Sequence, residues 1–205
     1  PLLLKQTNEV KESNVNFDGN IKRLKAELIY AYINNFSLIN INGRDLSKHL
    51  PEIRSIAENL MALEIVQQGQ QRIVLKDFLN VHDVSVHDTL RRMDRIVMSM
   101  SEDVKEYLTG KNPKVTELLE QKELDVNRLS NLLFKTLKKG FNSNDRAILK
   151  LDLDDLFYYW ELTLFVEKIG DQLKRIPRYM KTGAPIEIIS LYDSIIEQYT
   201  LAMKA

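Results

Sequence analysis

The sequence contains no cysteine, which excludes disulfide bonds, thiolate metal sites and cysteine nucleophiles. It also lacks an uninterrupted apolar run of the roughly 20 residues that a membrane-spanning helix needs, and no signal peptide follows Pro1. The 29 basic side chains are matched by 29 acidic ones, so strong nonspecific attraction to nucleic acid or to an anionic membrane is not expected. We therefore expect a cytoplasmic protein with no membrane insertion and no direct nucleic-acid binding by this chain.

Helix and strand patterns are mixed in residues 1–84. The predicted elements are two helices (Lys22–Tyr32 and Leu46–Leu60), a strand with apolar and polar alternation (Ser37–Gly43) and a β-hairpin (Leu63–Gln67 and Arg72–Phe78). Gly69 supplies the turn of that hairpin. This part of the chain is interpreted as a small α+β domain.

From Ser85 onward the apolar period is helical almost throughout. The first helix carries a stripe with alternating steps of four and three residues, typical of a bundle: Val86, Leu90, Met93, Val97, Met100, Val104 and Tyr107. Three more helices are predicted, from Pro113 to about Gly140, from about Asp154 to Arg175 before Pro177, and from Pro185 to about Met203. The sequence predicts a mainly α protein, in which residues 85–205 form an antiparallel bundle of three to four long helices.

Two carboxylates four residues apart, Glu167 and Asp171, lie within the strongly apolar third helix of this bundle. Residues at this spacing project from one helix face, about 6 Å apart along the axis. Like charges so placed destabilise a bare helix mildly, and a cation or a basic partner over them relieves that cost.

A second pair, Glu123 and Asn127, has the same spacing on the preceding helix, and both pairs lie one position past the apolar stripe. Two such pairs on facing helices could form an all-oxygen metal site. The alternative is that they are solvated boundary residues paired with Lys168, Lys174 or Arg128. The residue pattern leaves both interpretations open.

The segment from Trp160 to Gln172, WELTLFVEKIGDQ, resembles the LERIGDH helix of PhoU proteins, which are regulators of phosphate uptake. Glu123–Asn127 resembles the acidic segment of the preceding family helix, and Leu90–Met93 resembles the start of the first helix of a PhoU repeat. The segment Leu60–Val66 is similar to one that precedes the bundle in an archaeal subgroup. The resemblance covers roughly residues 20–180 and implies a PhoU-like helical bundle.

The resemblance also implies a metal site, often for iron or zinc, on the bundle surface. Carried over by position, the metal ligands are Glu123, Asn127, Glu167 and Asp171, while Gln172 replaces a histidine common in the family. Asn127 offers a neutral carbonyl where the motif carries a carboxylate, and fewer carboxylates weaken a cation site.

The function implied is a non-enzymatic regulator of phosphate homeostasis that binds a phosphate transporter or sensor protein. A homodimer is expected separately, because helical bundles pack readily and aromatic side chains can be exposed on them. One alternative is the dimerising or effector part of an AbrB-type DNA-binding transcription regulator, whose DNA-binding segment would precede Pro1. Another is a carboxylate-bundle metalloenzyme, which the lack of Glu-x-x-His motifs disfavours. No Ser-His-Asp, P-loop or G-x-G-x-x-G pattern favours nucleotide chemistry or acyl transfer.

Three further features have ordinary structural explanations. His82 and His87 flank a loop-to-helix junction and are interpreted as linker and capping residues rather than a metal clip. The basic residues near the end of the third helix complement its dipole, and the alternative is a surface for phosphate or for an acidic partner: Lys168, Lys174, Arg175, Arg178 and Lys181. The aromatic run Phe157–Trp160 is predicted to pack in the bundle core, with an exposed surface for a partner as the alternative. Ile186 is a packing candidate of the fourth helix.

Overall fold

The computed structural model describes residues 11–204, so the first ten residues of the predicted N-terminal domain lie outside the described residues. The N-terminal part contains four strands and two helices: β1 (Glu12–Phe17), α1 (Ile21–Ile33), β2 (Leu38–Gly43), α2 (Leu50–Glu58), β3 (Leu63–Gln68) and β4 (Arg72–Asp77). The strands form one sheet in the order β1-β2-β4-β3. β1 pairs with β2 in parallel, and the other two pairings are antiparallel.

One face of this sheet packs against α1 and α2. Alternating strand residues such as Ile39, Ile41, Ile73 and Leu75 share that face because successive side chains of a strand point to opposite sides. They join Leu28 and its neighbours on the helices in one buried apolar cluster. The parallel β1-α1-β2 connection therefore lies over a continuous core.

The remaining elements are helical: α3 (Val86–Leu108), α4 (Thr116–Gly140), α5 (Ser143–Leu149), α6 (Leu153–Tyr179) and α7 (Ile186–Ala202). The mainly α fold class is confirmed. All seven predicted stripe residues of α3 are buried, as are Val166, Gly170 and Leu173 of α6. None of the helices formed by residues 11–204 is both long and apolar enough to cross a membrane.

The chain divides into two compact units. Unit 1 extends to Val86 and includes Asn131–Phe157, so it contains the sheet together with the second half of α4, α5 and the start of α6. Unit 2 comprises His87–Ser130 and the chain from Tyr158 onward. The predicted domain boundary between residues 84 and 85 divides the chain into two consecutive segments, whereas these units group residues by their contacts. The boundary therefore stays a prediction.

Within unit 1, a buried lysine holds α4 to the N-terminal elements. Lys135 has a side chain only 1% exposed, and its Nζ lies 2.6 Å from Asp77 Oδ2 at the end of β4. The same ammonium donates to the backbone oxygen of Tyr32 on α1. Asn35 donates in return to the backbone oxygen of Lys135.

Several predicted elements differ from the structure. β1 was not predicted, since only Val15 and Phe17 interrupt its polar residues, and the seven-residue α5 was not predicted either. The predicted helix over Leu46–Leu60 is a 3₁₀ turn followed by α2. The β-hairpin, α1, β2 and α7 are confirmed.

The prediction that α6 ends before Pro177 is wrong, because the helix continues to Tyr179. A proline lacks the N–H that would bond four residues back, but near the end of a helix few bonds remain to be lost. The amide of Met180 still donates to the backbone oxygen of Ile176.

Candidate functional site: an acidic cluster on α4 and α6

The predicted site residues lie on α4 and α6 within unit 2, where the two helices approach closely. Gly170 is buried, and a Cβ atom at this position would lie 3.5 Å from the side chains of both Val126 and Val97. These are ordinary van der Waals distances, so there is room for one methyl group between the α6 backbone and these valines. Asn127 follows Val126 and Asp171 follows Gly170 in the sequence, so one member of each pair borders this contact.

The structure brings the four predicted residues into one cluster, which we call the acidic cluster (Glu123, Asn127, Glu167 and Asp171). Asn127 Nδ2 donates to Glu123 Oε1 over 2.8 Å along α4. Glu123 has a side chain only 14% exposed, and Asp171 one that is 26% exposed. Both pairs therefore form a half-buried strip beside the core, as the repeated spacing indicated.

Lys174 is the residue that connects the two helices across the cluster. Its Nζ lies 2.7 Å from Glu123 Oε1 on α4 and 3.6 Å from Asp171 Oδ1 on its own helix. The ammonium is 16% exposed at the side-chain level, so solvent screens it less than a typical surface pair. Of the three basic partners predicted from the sequence, Lys174 is the one that contacts the acidic cluster.

The other two possible partners have minor roles. Arg128 Nη1 is 3.9 Å from Asp125, outside the cluster. Lys168 is exposed and acts on Glu167 only by lowering its pKa slightly against larger opposing effects. A partner that sequence reasoning did not name is Arg175, whose Nη2 lies 2.6 Å from Asp171 Oδ2.

Glu167 has no hydrogen bond or ion pair within the described part of the chain. Burial raises the pKa of the Glu167 carboxyl above its ordinary value, and the nearby charges of Asp171 and Glu123 raise it further. Glu167 is thus the member of the cluster whose charge is least compensated.

The donor set has the chemistry of a site for a hard or borderline cation, since it offers three carboxylates and one amide carbonyl. In the structure, however, the ammonium of Lys174 lies between Glu123 and Asp171, where a metal ion would have to bind. No group of three or more histidine, aspartate and glutamate residues is arranged to hold a metal ion among residues 11–204. The residues fit a metal ion only if Lys174 moves away.

Each of the two histidines contacts a different aspartate. His82 Nε2 lies 2.8 Å from Asp145 Oδ1 of α5, in unit 1. His87 Nδ1 lies 3.7 Å from its neighbour Asp88. Neither contact forms a zinc-type ligand set.

The prediction that the aromatic run Phe157–Trp160 packs in the core is wrong for two of its residues. Phe157 is 62% exposed and Tyr158 is 55% exposed. Ile186, also predicted to pack, is 68% exposed. These residues flank apolar helix faces, and the helical period alone does not show which of two apolar sides is covered.

Residues 90–180 match the family model of the PhoU domain. The matched region begins in α3, includes the acidic cluster and ends just after α6. No curated protein and no solved structure matches the chain.

Proposed function

We propose that this chain, whose residues 90–180 match the family model of the PhoU domain, is a non-enzymatic regulator of phosphate homeostasis that binds a partner through unit 2. The partner proposed is a phosphate transporter or a phosphate sensor protein, in the cytoplasm, with the chain acting as a homodimer. The observation that carries the proposal is the acidic cluster, which lies inside the matched region.

The acidic cluster has the properties of a cation-responsive surface. Two of its half-buried carboxylates, Glu123 and Asp171, pair with the cations Lys174 and Arg175, whereas the charge of Glu167 has no ion-pair partner among the described residues. A bound cation would neutralise that charge and link α4 to α6 in place of the lysine. Such a change alters the charge that this surface presents to a partner.

A metal ion, iron or zinc, is the cation proposed. Glu123, Glu167 and Asp171 would hold it through carboxylate oxygens, with the carbonyl of Asn127 as a weaker ligand. The metal would supply positive charge and a rigid link between the helices, and no chemical step is assigned to it. The protein side chains would supply the remaining hydrogen bonds that orient those oxygens.

Elemental analysis of protein purified without chelator or immobilised metal tests this assignment. We expect Glu167→Ala combined with Asp171→Ala to lower the bound iron or zinc while far-UV circular dichroism stays unchanged. The matched control is Asp125→Ala combined with Glu161→Ala, which removes two carboxylates from the same helices outside the cluster. Equal metal content in the two double variants would show that these carboxylates are not ligands.

Lys174→Met provides a test in the opposite direction. Because the ammonium and a metal ion compete for Glu123 and Asp171, removing the ammonium should tighten zinc binding by about tenfold or more. Isothermal titration calorimetry measures the change, and Lys168→Met serves as the control from an exposed position on α6. Weaker zinc binding in Lys174→Met would contradict the competition.

The regulatory role is tested separately from the metal. We expect deletion of the gene to change the uptake of radiolabelled phosphate in phosphate-rich medium and the wild-type chain to restore it. A double variant at Glu167 and Asp171 that restores uptake fully would remove the acidic cluster from the regulatory role. Unchanged uptake in the deletion strain would contradict the regulatory role itself.

A further inference from the structure

A cleft of about 870 Å³ lies in unit 1, where β1 and β2 end. These two strands are parallel, and the carboxyl ends of parallel strands are the usual place for ligands in sheets with helical crossovers. The volume is in the range of small-molecule sites, about 300–1,000 Å³. The hydrogen-bond donors that line it are Asn16, Asn42, Arg44, Lys48, His49 and Gln71.

The chain around Arg44 is fixed on both sides of that residue. The amide of Gly43 donates to the backbone oxygen of Gln71, and the amide of Leu46 donates to that of Gln70. Leu46 is fully buried. A Cβ atom on Gly43 would lie 2.9 Å from the backbone oxygen of Phe17, so the two strand ends approach as closely as a glycine allows. The backbone that carries Arg44 is therefore held in place before any ligand binds.

The charges in the cleft favour an anion. Asp18 is already paired with Arg23 at 3.0 Å and accepts a hydrogen bond from the amide of Asn20. Asp45 and Lys48 form a highly exposed pair at 3.4 Å, which contributes little. Arg44 has no hydrogen bond or ion pair to any residue within the described range 11–204. Its guanidinium, unlike the ammonium of Lys48, therefore has no counter-ion among the described residues.

We propose that this cleft binds a phosphate group, either as free inorganic phosphate or as the phosphate of an ester. A guanidinium matches phosphate oxygens in a bidentate manner, and the amides of Asn16 and Asn42 at the adjacent strand ends supply further donors. A carboxylate has two oxygens and a single charge, so it satisfies fewer of these donors. The amides at the start of α1 are not required, because Asn20 already caps that helix.

Calorimetric titration of the full chain tests the site, with inorganic phosphate and adenosine monophosphate as ligands and acetate as the carboxylate control. We expect saturable binding of at least one phosphate ligand with a Kd of about 1 mM or tighter. Arg44→Gln should weaken it about tenfold or more, since it removes a charge-assisted hydrogen-bond donor. Arg54→Gln, which removes an exposed arginine of α2 outside the cleft, should leave the affinity unchanged.

Amide NMR spectra recorded during the titration locate the ligand. The side-chain amides of Asn16 and Asn42 should shift in wild type and not in Arg44→Gln. Tighter binding of the nucleotide identifies an ester as the ligand, whereas equal or tighter binding of inorganic phosphate identifies the free anion. Failure of both phosphate ligands to saturate, equal losses in Arg44→Gln and Arg54→Gln, or acetate binding as tight as phosphate would each overturn the proposal. The outcome is independent of the acidic cluster, whose residues belong to unit 2.

Discussion

Removing Lys135 should destabilise unit 1 more than removing any exposed lysine of the chain. The substitution Lys135→Met keeps the length and the apolar stem of the side chain but deletes an ammonium that is almost fully buried. It leaves the Asp77 carboxylate, 9% exposed, without its cation, and the backbone oxygen of Tyr32 without its donor. Breaking a buried ion pair in this one-sided way costs about 3–5 kcal/mol.

A double-mutant cycle separates the ion pair from ordinary packing. In the structure, Asp77 Oδ1 accepts a hydrogen bond from the backbone amide of Leu79. Asp77→Asn removes the negative charge, while its Oδ1 can still accept that hydrogen bond. The combination of Lys135→Met with Asp77→Asn leaves no unpaired buried charge, so its cost should fall below the sum of the single costs by about 2 kcal/mol or more.

The two single variants should also respond differently to pH. Burial lowers the pKa of Lys135 below its ordinary value, and the hydrogen bond and charge of Asp77 oppose that effect. Without Asp77 the pKa falls further, so the folded state binds fewer protons than the unfolded state as the pH approaches the ordinary lysine value. Stability rises with pH in that window, and the destabilisation by Asp77→Asn should therefore shrink as the pH is raised.

Urea denaturation followed by circular dichroism measures the free energy of unfolding of the four proteins in this cycle. The control is Lys138→Met, because Lys138 is exposed and lies about one turn after Lys135 on α4. It should change stability by less than about 0.5 kcal/mol. A cost of Lys135→Met as small as that of the control, or single costs that add fully in the double variant, would refute the reasoning.

Substitutions at three further positions test packing and ionisation. Gly170→Ala should be tolerated and gain up to about 1 kcal/mol of helix propensity, since its Cβ would meet Val126 at an ordinary 3.5 Å. Gly170→Leu should cost about 1–3 kcal/mol by overpacking, and thermal melting of both variants decides. Gly43→Ala should lower the melting temperature, because its Cβ would lie 2.9 Å from a backbone oxygen of β1; an unchanged melting temperature contradicts the close approach. The hydroxyl of Tyr199 donates a hydrogen bond to Asp94 Oδ1 over 2.6 Å. Burial raises the pKa of the Tyr199 hydroxyl above its ordinary value, so the folded state keeps a proton that the unfolded state loses at alkaline pH. Wild type should therefore lose stability above the ordinary tyrosine pKa more steeply than Tyr199→Phe, and parallel pH profiles from urea denaturation would count against this.

Sequence reasoning succeeded where one local pattern decides the structure. The stripe of α3 was predicted residue by residue, since steps of three and four place every member on one helix face. The hairpin around Gly69 followed from its turn residue and flanking alternation. By contrast β1 has few apolar residues, and its parallel partner β2 lies beyond a whole helix in the sequence. A strand of this kind is stabilised by its neighbours rather than by its own composition.

The sequence by itself determined the fold class, the helical periods and the four positions of the acidic cluster, because each depends on spacing along one chain segment. Only the tertiary structure decided which cation meets those carboxylates, since the 2.7 Å contact of Lys174 with Glu123 joins two helices. It also decided that Lys135 is buried, because the depth of a lysine depends on elements about a hundred residues away. Charge pairing and burial are properties of residues brought together by packing, and no period along the chain encodes them.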